Sequence, residues 1–369
     1  MTTQSDPPQA AVEAAAPLTP TGSKATPAVD DRWQKRSLPG RIVRRPEFGS
    51  ALVTIAMIVF FAVVAGGGGF LSTSGTAGWL NTAAELGIVA VPIALLMISG
   101  EFDLSIGSTV GASGILVAIS TGQFGLPIGV SVVLALLLGG AVGLLNGLLV
   151  NKTGMPSFIV TLAANFFLLG IALGLARRVA STSTVSVVFD GPAHGIFAGK
   201  LGDFNASIFW WMAIAVVAAW ILGKKPFGSW IYATGGSADS ARRAGVPTAR
   251  VKLLLFVTSG VAAALLGVIT AAQDNAGNAV SGQGFVFQAP IVAVIGGVLL
   301  TGGYGSVLGV CFGAAIYGIV SIGLFYTGWN TDWAPAFIGV LLVLAVLANS
   351  YIREAALSNR SVRRKAATS

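Results

Sequence analysis

Residues 125–149 read GLPIGVSVVLALLLGGAVGLLNGLL, a run with no charged side chain and one amide, Asn146. A helix of about 20 apolar residues, rising about 1.5 Å each, crosses the hydrocarbon of a bilayer, so this run is long enough to span. Gly139, Gly143 and Gly147 recur at intervals of four. That spacing lays a smooth strip along one helix face, where a neighbouring backbone can approach closely. Asn146 sits inside the strip and suits hydrogen bonding between helices in apolar surroundings.

Working outward, nine further runs qualify: 48–65, 79–99, 104–121, 156–176, 207–222, 253–273, 288–301, 306–327 and 333–352. Those at 207–222 and 288–301 are short, and the second is expected either to bend or to start earlier, near Phe285. Gly305, Gly309 and Gly313 repeat the spacing of four and predict a second packing strip. The expected fold is therefore an all-α integral membrane bundle of about ten transmembrane helices. Composition agrees. Of 369 residues, 54% are apolar and only 10% charged, too few charges to coat a soluble domain of this size. The mean hydropathy is +0.81. A cytosolic globular enzyme and a disordered chain are both excluded. A single cysteine, Cys311, and a single histidine, His194, leave no disulfide framework and no basis for a Cys- or His-built metal site.

The formal charge of +8 raises the question of nucleic acid, but the positions of the charges answer it. Arg32, Lys35, Arg36, Arg41, Arg44 and Arg45 precede the first apolar run, and Arg353, Arg360, Arg363, Arg364 and Lys365 follow the last. Lys224, Lys225, Arg242, Arg243, Arg250 and Lys252 mark one central loop. Basic flanks of this kind set membrane orientation, and no nucleic-acid partner is expected. Ten spans place both termini on one side, and all 22 Lys and Arg except Arg177, Arg178 and Lys200 then fall on that side, the cytoplasm. The expected organisation is a disordered basic cytoplasmic tail over 1–46, a transmembrane domain over 47–352 and a second basic tail over 353–369. An outer loop occupies 177–206 and a cytoplasmic loop 223–252. Residues 1–30 are Ala-, Pro-, Thr- and Ser-rich and lack the basic-then-apolar layout of a signal peptide, so the first span reads as a retained anchor.

Ionisable groups inside lipid are costly and default to a functional hypothesis. Glu85 lies early in the second run, and Glu101 and Asp103 sit in ISGEFDLSIGS between the second and third. Glycine and serine around them predict a broken or re-entrant turn, tolerated where protein or water shields it. Asp103, with Ser105 and Gly107, reads as a structural motif, the carboxylate capping the helix that follows. Asn146, Asn165, Gln273 and Asn275, with Phe166 and Phe285, are candidates for a translocation path. Amides suit an uncharged polyol or sugar and aromatic rings suit its apolar faces, while any single amide serves equally well as glue between helices.

The loop KKPFGSWIYATGGSADSARRAGVPTARVK, 224–252, predicts one short helix. Ser237 caps it, Asp239 suits its first turn, Arg242 and Arg243 its last, and Gly245 ends it ahead of Pro247. Such an element can dock onto another protein or rest on anionic lipid headgroups. No G-x-x-x-x-G-K-[ST] loop, H-E-x-x-H or G-x-S-x-G motif occurs, so nothing here predicts nucleotide hydrolysis or other covalent chemistry on this chain.

Four stretches together resemble a known family, the membrane permeases of bacterial ABC importers for ribose and related sugars, which also includes autoinducer-2 permeases. ISGEFDLSIGSTVG resembles its first motif through Gly100, Asp103, Leu104, Ser105, Gly107 and Ser108. GLLNGLLVNKTGMPSFIVTLAANFFLLGIAL resembles its second through Asn146, Gly147, Pro156, Phe158, Ile159, Val160, Thr161 and Leu162. YATGGSADSARRAGVPTARVK is similar to its cytoplasmic segment, and APIVAVIGGVLLTGGYGSVLG to its last motif through Gly296, Gly297, Gly302, Gly303, Gly305 and Ser306. Glu101 departs from the pattern, which has glycine or a hydrophobe there.

The resemblance implies an inverted-repeat permease in the bacterial inner membrane, importing a sugar, polyol or related small polar solute. It implies a separate ATPase with two nucleotide-binding halves that holds the ATP and Mg, this chain carrying no cofactor. It implies an extracytoplasmic sugar-binding protein and a second permease copy or paralogue, all set in membrane lipid. Gly235, Gly236, Asp239, Ala241, Arg242, Arg243 and Gly245 would then form the coupling element on the ATPase. The alternative reading is an ion-coupled secondary transporter of a small polar solute, which needs its own coupling-ion site; only Glu85 lies where it could serve one.

Overall fold

A computed structural model describes residues 46–347. The two expected tails lie outside the described residues, apart from Pro46. The described residues form ten apolar helices, seven of them long enough to cross a bilayer. In chain order the first five are α1 (Pro46–Val64), α2 (Thr73–Ile98), α3 (Ile106–Gly122), α4 (Ile128–Thr153) and α5 (Ser157–Ala180). A short connecting segment follows, with β1 (Thr184–Ser186), α6 (Gly191–Phe197), β2 (Lys200–Leu201) and β3 (Phe204–Asn205). Next come α7 (Ala206–Lys224), α8 (Pro226–Gly236), α9 (Ala238–Arg243) and α10 (Thr248–Asp274). The chain then runs through β4 (Ala276–Asn278), α11 (Phe285–Ile295) and α12 (Val307–Tyr326) to α13 (Thr331–Leu347).

All ten expected runs correspond to these helices, with three corrections; the last, 333–352, is matched as far as 347, and 348–352 lie outside the described residues. The run at 207–222 is α7, a full 19 residues. The run at 288–301 starts at Phe285 but stops at Ile295, because Gly296 and Gly297 (φ +91°) turn the backbone out of the helix. At 1.5 Å per residue α11 is only about 16 Å long, half a bilayer. The segment 224–252 is not one loop around one helix. Pro226 at its first turn opens α8, and α10 begins at Thr248, ahead of the expected 253.

Burial separates the helices into inner and outer members. The apolar window of α2 is 83% buried and that of α10 61%, against 28% for α4, α5 and α7 and 17% for α1. On α4 the buried residues include Gly139, Gly143, Asn146 and Gly147, while Val130, Val133, Leu137 and Leu145 are exposed on the other faces. An outward apolar face with a small-residue inner face is what packing within lipid requires, since lipid tails give no hydrophobic drive between helices.

The first glycine strip is a true packing face. A Cβ on Gly139 would overlap the carbonyl oxygen of Gly260 on α10, and one on Gly260 would overlap that of Gly139. Gly143 lies against the Phe256–Val257 backbone and Gly147 against Leu253. The second strip holds for Gly309 and Gly313, which meet Gly296 and Val292 of the α11 end. Gly305 lies outside α12, in the preceding turn.

The expected outer loop is ordered by two small sheets. β1 pairs antiparallel with β4, Val185 opposite Gly277, and β2 pairs with β3. Asn81 on α2 clamps the second hairpin, donating to the Asp203 carbonyl (3.0 Å) and accepting from the Asn205 N–H (2.9 Å). The first sheet fixes the segment 276–284 across α3, where Gly107, Gly111 and Gly114 leave room for its backbone at Gly282, Ala279 and Gly277.

Candidate functional site

The break between α2 and α3 lies at the centre of the site. Gly100 (φ +90°) ends α2, and the backbone runs non-helically until Ile106. A restarted helix leaves backbone N–H groups without partners, which is costly away from water. Helix α5 supplies the partners. The Phe102 N–H donates to Ser157 Oγ, the Leu104 N–H to Thr161 Oγ1 and the Ser108 N–H to Asn165 Oδ1, each at 3.0 Å. Ser157, Thr161 and Asn165 are spaced at four and form a single ladder of acceptors along one face of α5.

Asp103 closes the network from the other side. Its Oδ1 accepts from the Ser105 N–H (3.0 Å) and Ser105 Oγ (2.6 Å), and its Oδ2 from Ser259 Oγ on α10 (2.8 Å). Asn146 Nδ2 on α4 donates to Ser105 Oγ (2.9 Å). The expected capping of α3 by Asp103 is not what forms: its carboxylate closes a tight turn onto Ser105, the residue before the helix, and the first-turn amide of Ser108 is taken by Asn165 instead. Gly107, the third member of the expected motif, admits Gly282 and Val286.

Immediately beside the break lies a stack of glycines. A Cβ on Gly235, near the end of α8, would overlap the Ile98 carbonyl oxygen and come within 2.6 Å of the Gly303 nitrogen. The Gly303 N–H donates to Ile98 O (2.8 Å), and Tyr232 OH donates to Gly305 O (2.7 Å). One on Gly302 (φ +77°) would lie 3.0 Å from the Gly100 Cα. The ends of α2, α8 and the 296–306 turn thus pack backbone on backbone.

Helix α9 follows directly and matches its expected chemistry. Ser237 Oγ accepts from the Ser240 N–H (3.3 Å), Arg242 and Arg243 lie in the last turn, and Gly245 takes φ +86°. The seven expected coupling residues divide in two. Gly236, Asp239, Arg242, Arg243 and Gly245 are exposed, Ala241 is buried and Gly235 is packed in the stack. The Arg242–Asp239 contact is exposed and 3.9 Å long, so it leaves both charges largely free for a partner. Behind α9, Lys252 near the start of α10 pairs with Glu101 at the break.

The six path candidates do not share one lining. Asn146 and Asn165 are buried and hold the break together. Phe166 points out of the bundle at 66% exposure, because α5 turns its Ser157–Thr161–Asn165 face inward. Gln273 and Asn275 lie at the far end of α10, Asn275 capping it at φ +51°. Gln273 lines a polar cavity of about 580 Å³ with His194, Lys200, Asn205 and Asp274. Phe285 is half-buried at the first position of α11, close in sequence to Gln283, whose Oε1 is 3.4 Å from Asn165 Nδ2. Sequence reasoning missed Ser157, Ser259 and Lys252; hydroxyls inside apolar runs and a lysine in a basic loop carry no signal of their tertiary partners. No group of three His, Cys, Asp or Glu side chains placed for a metal ion occurs among the described residues.

Comparison with known proteins places this geometry. Residues 75–346, which contain the break, the ladder, the glycine stack and α9, match the family model described as branched-chain amino acid transport system / permease component. The chain is 33% identical over 285 residues to the inner membrane ABC transporter permease protein YjfF of Escherichia coli K12, covering 75% of this chain and 84% of that one. It is 31% identical to the xylose transport system permease protein XylH of Haemophilus influenzae, over 80% of this chain and 94% of that one. It is 29% identical to the fructose import permease protein FrcC of Rhizobium meliloti, over 83% and 85%. No solved structure matches the chain significantly.

Proposed function

This chain belongs to the branched-chain amino acid transport system permease component family, and from that premise we propose that it is the membrane permease of an ATP-driven importer for a sugar or related small polar solute. The observation that carries the substrate class is the naming of relatives that align over most of both lengths: they belong to xylose transport and fructose import systems, whereas the family as a whole is described by branched-chain amino acids. The same relatives favour an ATP-driven importer over an ion-coupled transporter.

The permease does no covalent chemistry. A bundle with two conformations is shifted between them by whatever binds one better than the other. In this reading the driver is a separate ATPase with two nucleotide-binding halves, holding ATP and Mg, bound at α9 on the cytoplasmic side of the inner membrane. A binding protein delivers solute at the opposite face, and a second permease completes the path. Three features of the chain support α9 as the contact: exposed Arg242 and Arg243, a buried Ala241 that seats the helix, and the glycine stack tying α8 to the break.

Replacing Arg242 and Arg243 together with Ala tests the reading. Arginine is enriched among the few interface residues whose truncation costs about 2 kcal/mol or more, so with one such residue in the pair, association with the co-expressed ATPase should weaken by about thirtyfold and solute uptake should be lost. The thermal unfolding midpoint should stay unchanged, since both side chains are exposed. Unaltered association and uptake would remove α9 as the contact.

A further inference from the structure

We propose that the Glu101–Lys252 ion pair carries movement of α9 into the break between α2 and α3, which makes these two side chains positioning residues for the transport cycle. The inference rests on the reading of α9 as the ATPase contact. Several observations lead to it. The pair joins residues 151 apart in sequence, one at the mouth of the break and one in the second turn of α10. Its side chains are only 11% and 21% exposed. A pair so shielded is less screened and more persistent than the open Arg242–Asp239 contact.

The α9–α10 connection is short and tied. The Val246 N–H donates to Ala241 O (3.0 Å) and the Thr248 N–H to Val246 O (2.8 Å), so α9 and the first turns of α10 shift together. Lys252 and Ser259 are seven residues apart on α10 and so lie on one face. Lys252 holds Glu101 while Ser259 holds Asp103. α10 therefore grips the break at two points, Glu101 and Asp103, and a slide or rotation begun at α9 reaches the adjoining Phe102–Ser108 amides. Backbone geometry does not demand a carboxylate here, since Gly100 already supplies the turn.

The test is hydrogen–deuterium exchange on the full chain co-purified with its ATPase in lipid nanodiscs, with and without Mg-ATP and vanadate. In the unsubstituted protein, nucleotide trapping should alter exchange in peptides covering α9 and in those covering 101–108. In Glu101→Gln the α9 response should remain and the 101–108 response should fall several-fold; the exchanged pair Glu101→Lys with Lys252→Glu should restore it. A merely structural pair would change stability without separating the two responses. A full response at 101–108 in Glu101→Gln overturns the inference and leaves the α9 reading standing. No nucleotide response at α9 in the unsubstituted chain overturns the α9 reading and the inference with it. If Glu101→Gln does not assemble, the exchanged pair decides alone: a response at both segments supports the inference, and a response at α9 without one at 101–108 overturns it.

Discussion

Asp103→Ala unfolds the bundle at a far lower denaturant concentration than the unsubstituted chain, while Asp103→Asn stays close to it. The buried carboxylate accepts three hydrogen bonds, two from Ser105 and one from Ser259. Alanine leaves all three donors without an acceptor. The two hydroxyls can swing toward carbonyls one turn back, as serine does within helices, but the Ser105 N–H is fixed. A buried donor left unmade costs about 1–3 kcal/mol, and the vacated volume adds to it, for a loss on the order of 3–5 kcal/mol. Asparagine keeps an acceptor for Ser105 and offers a donor that the rotatable Ser259 hydroxyl can accept, so its cost should be about 1 kcal/mol or less. Unfolding followed by circular dichroism in mild detergent distinguishes the two. An Asn variant that falls as far as Ala would mean that the charge, not the hydrogen bonding, holds the break.

The second large effect separates two adjacent glycines. Gly235→Ala places a methyl group onto the Ile98 carbonyl oxygen and 2.6 Å from the Gly303 nitrogen, all of it backbone that cannot swing away. Overpacking of this kind costs about 1–3 kcal/mol, and relief requires α8 to lift from α2 and from the 296–306 turn. Gly236→Ala meets nothing within 4 Å and exchanges glycine for a better helix former. Gly235→Ala is therefore expected to lower the unfolding midpoint, and Gly236→Ala to leave it unchanged. Equal midpoints of the two variants in thermal unfolding would contradict the stack.

These two sites also mark where the sequence could be read and where it could not. The apolar runs were legible because crossing lipid demands length and apolarity together, and the strip of Gly139, Gly143 and Gly147 because small residues at four are what close helix approach requires. The end of α11 was misplaced for the same reason. Val298, Leu299 and Leu300 keep hydropathy high past Ile295, and hydropathy measures apolarity, not helicity. Helix α8 was missed because Pro226 and the Gly235–Gly236 pair look like breakers, yet proline suits a first helical turn and glycine a last one.

Within the site, Asp103 and Ser105 were legible as a structural pair because they precede an apolar run, but the carboxylate closes a turn and binds Ser259 instead of capping the helix. Their support was not. Ser157, Thr161 and Asn165 act through backbone amides more than fifty residues away, and the sequence offered Asn165 equally as path or glue. Glu101 stood out as an ionisable group in the broken turn and as a departure from a pattern, but its partner Lys252 looked like one more basic residue in a loop.

The central claim is that this chain moves solute with energy borrowed from a separate ATPase. The most direct measurement is uptake of radiolabelled D-xylose and D-fructose into membrane vesicles carrying the chain with its ATPase and binding protein, under two separate treatments. The account predicts that uptake of at least one sugar stops when internal ATP is depleted and persists when the proton gradient is collapsed. Uptake that survives ATP depletion and vanishes with the gradient would contradict it.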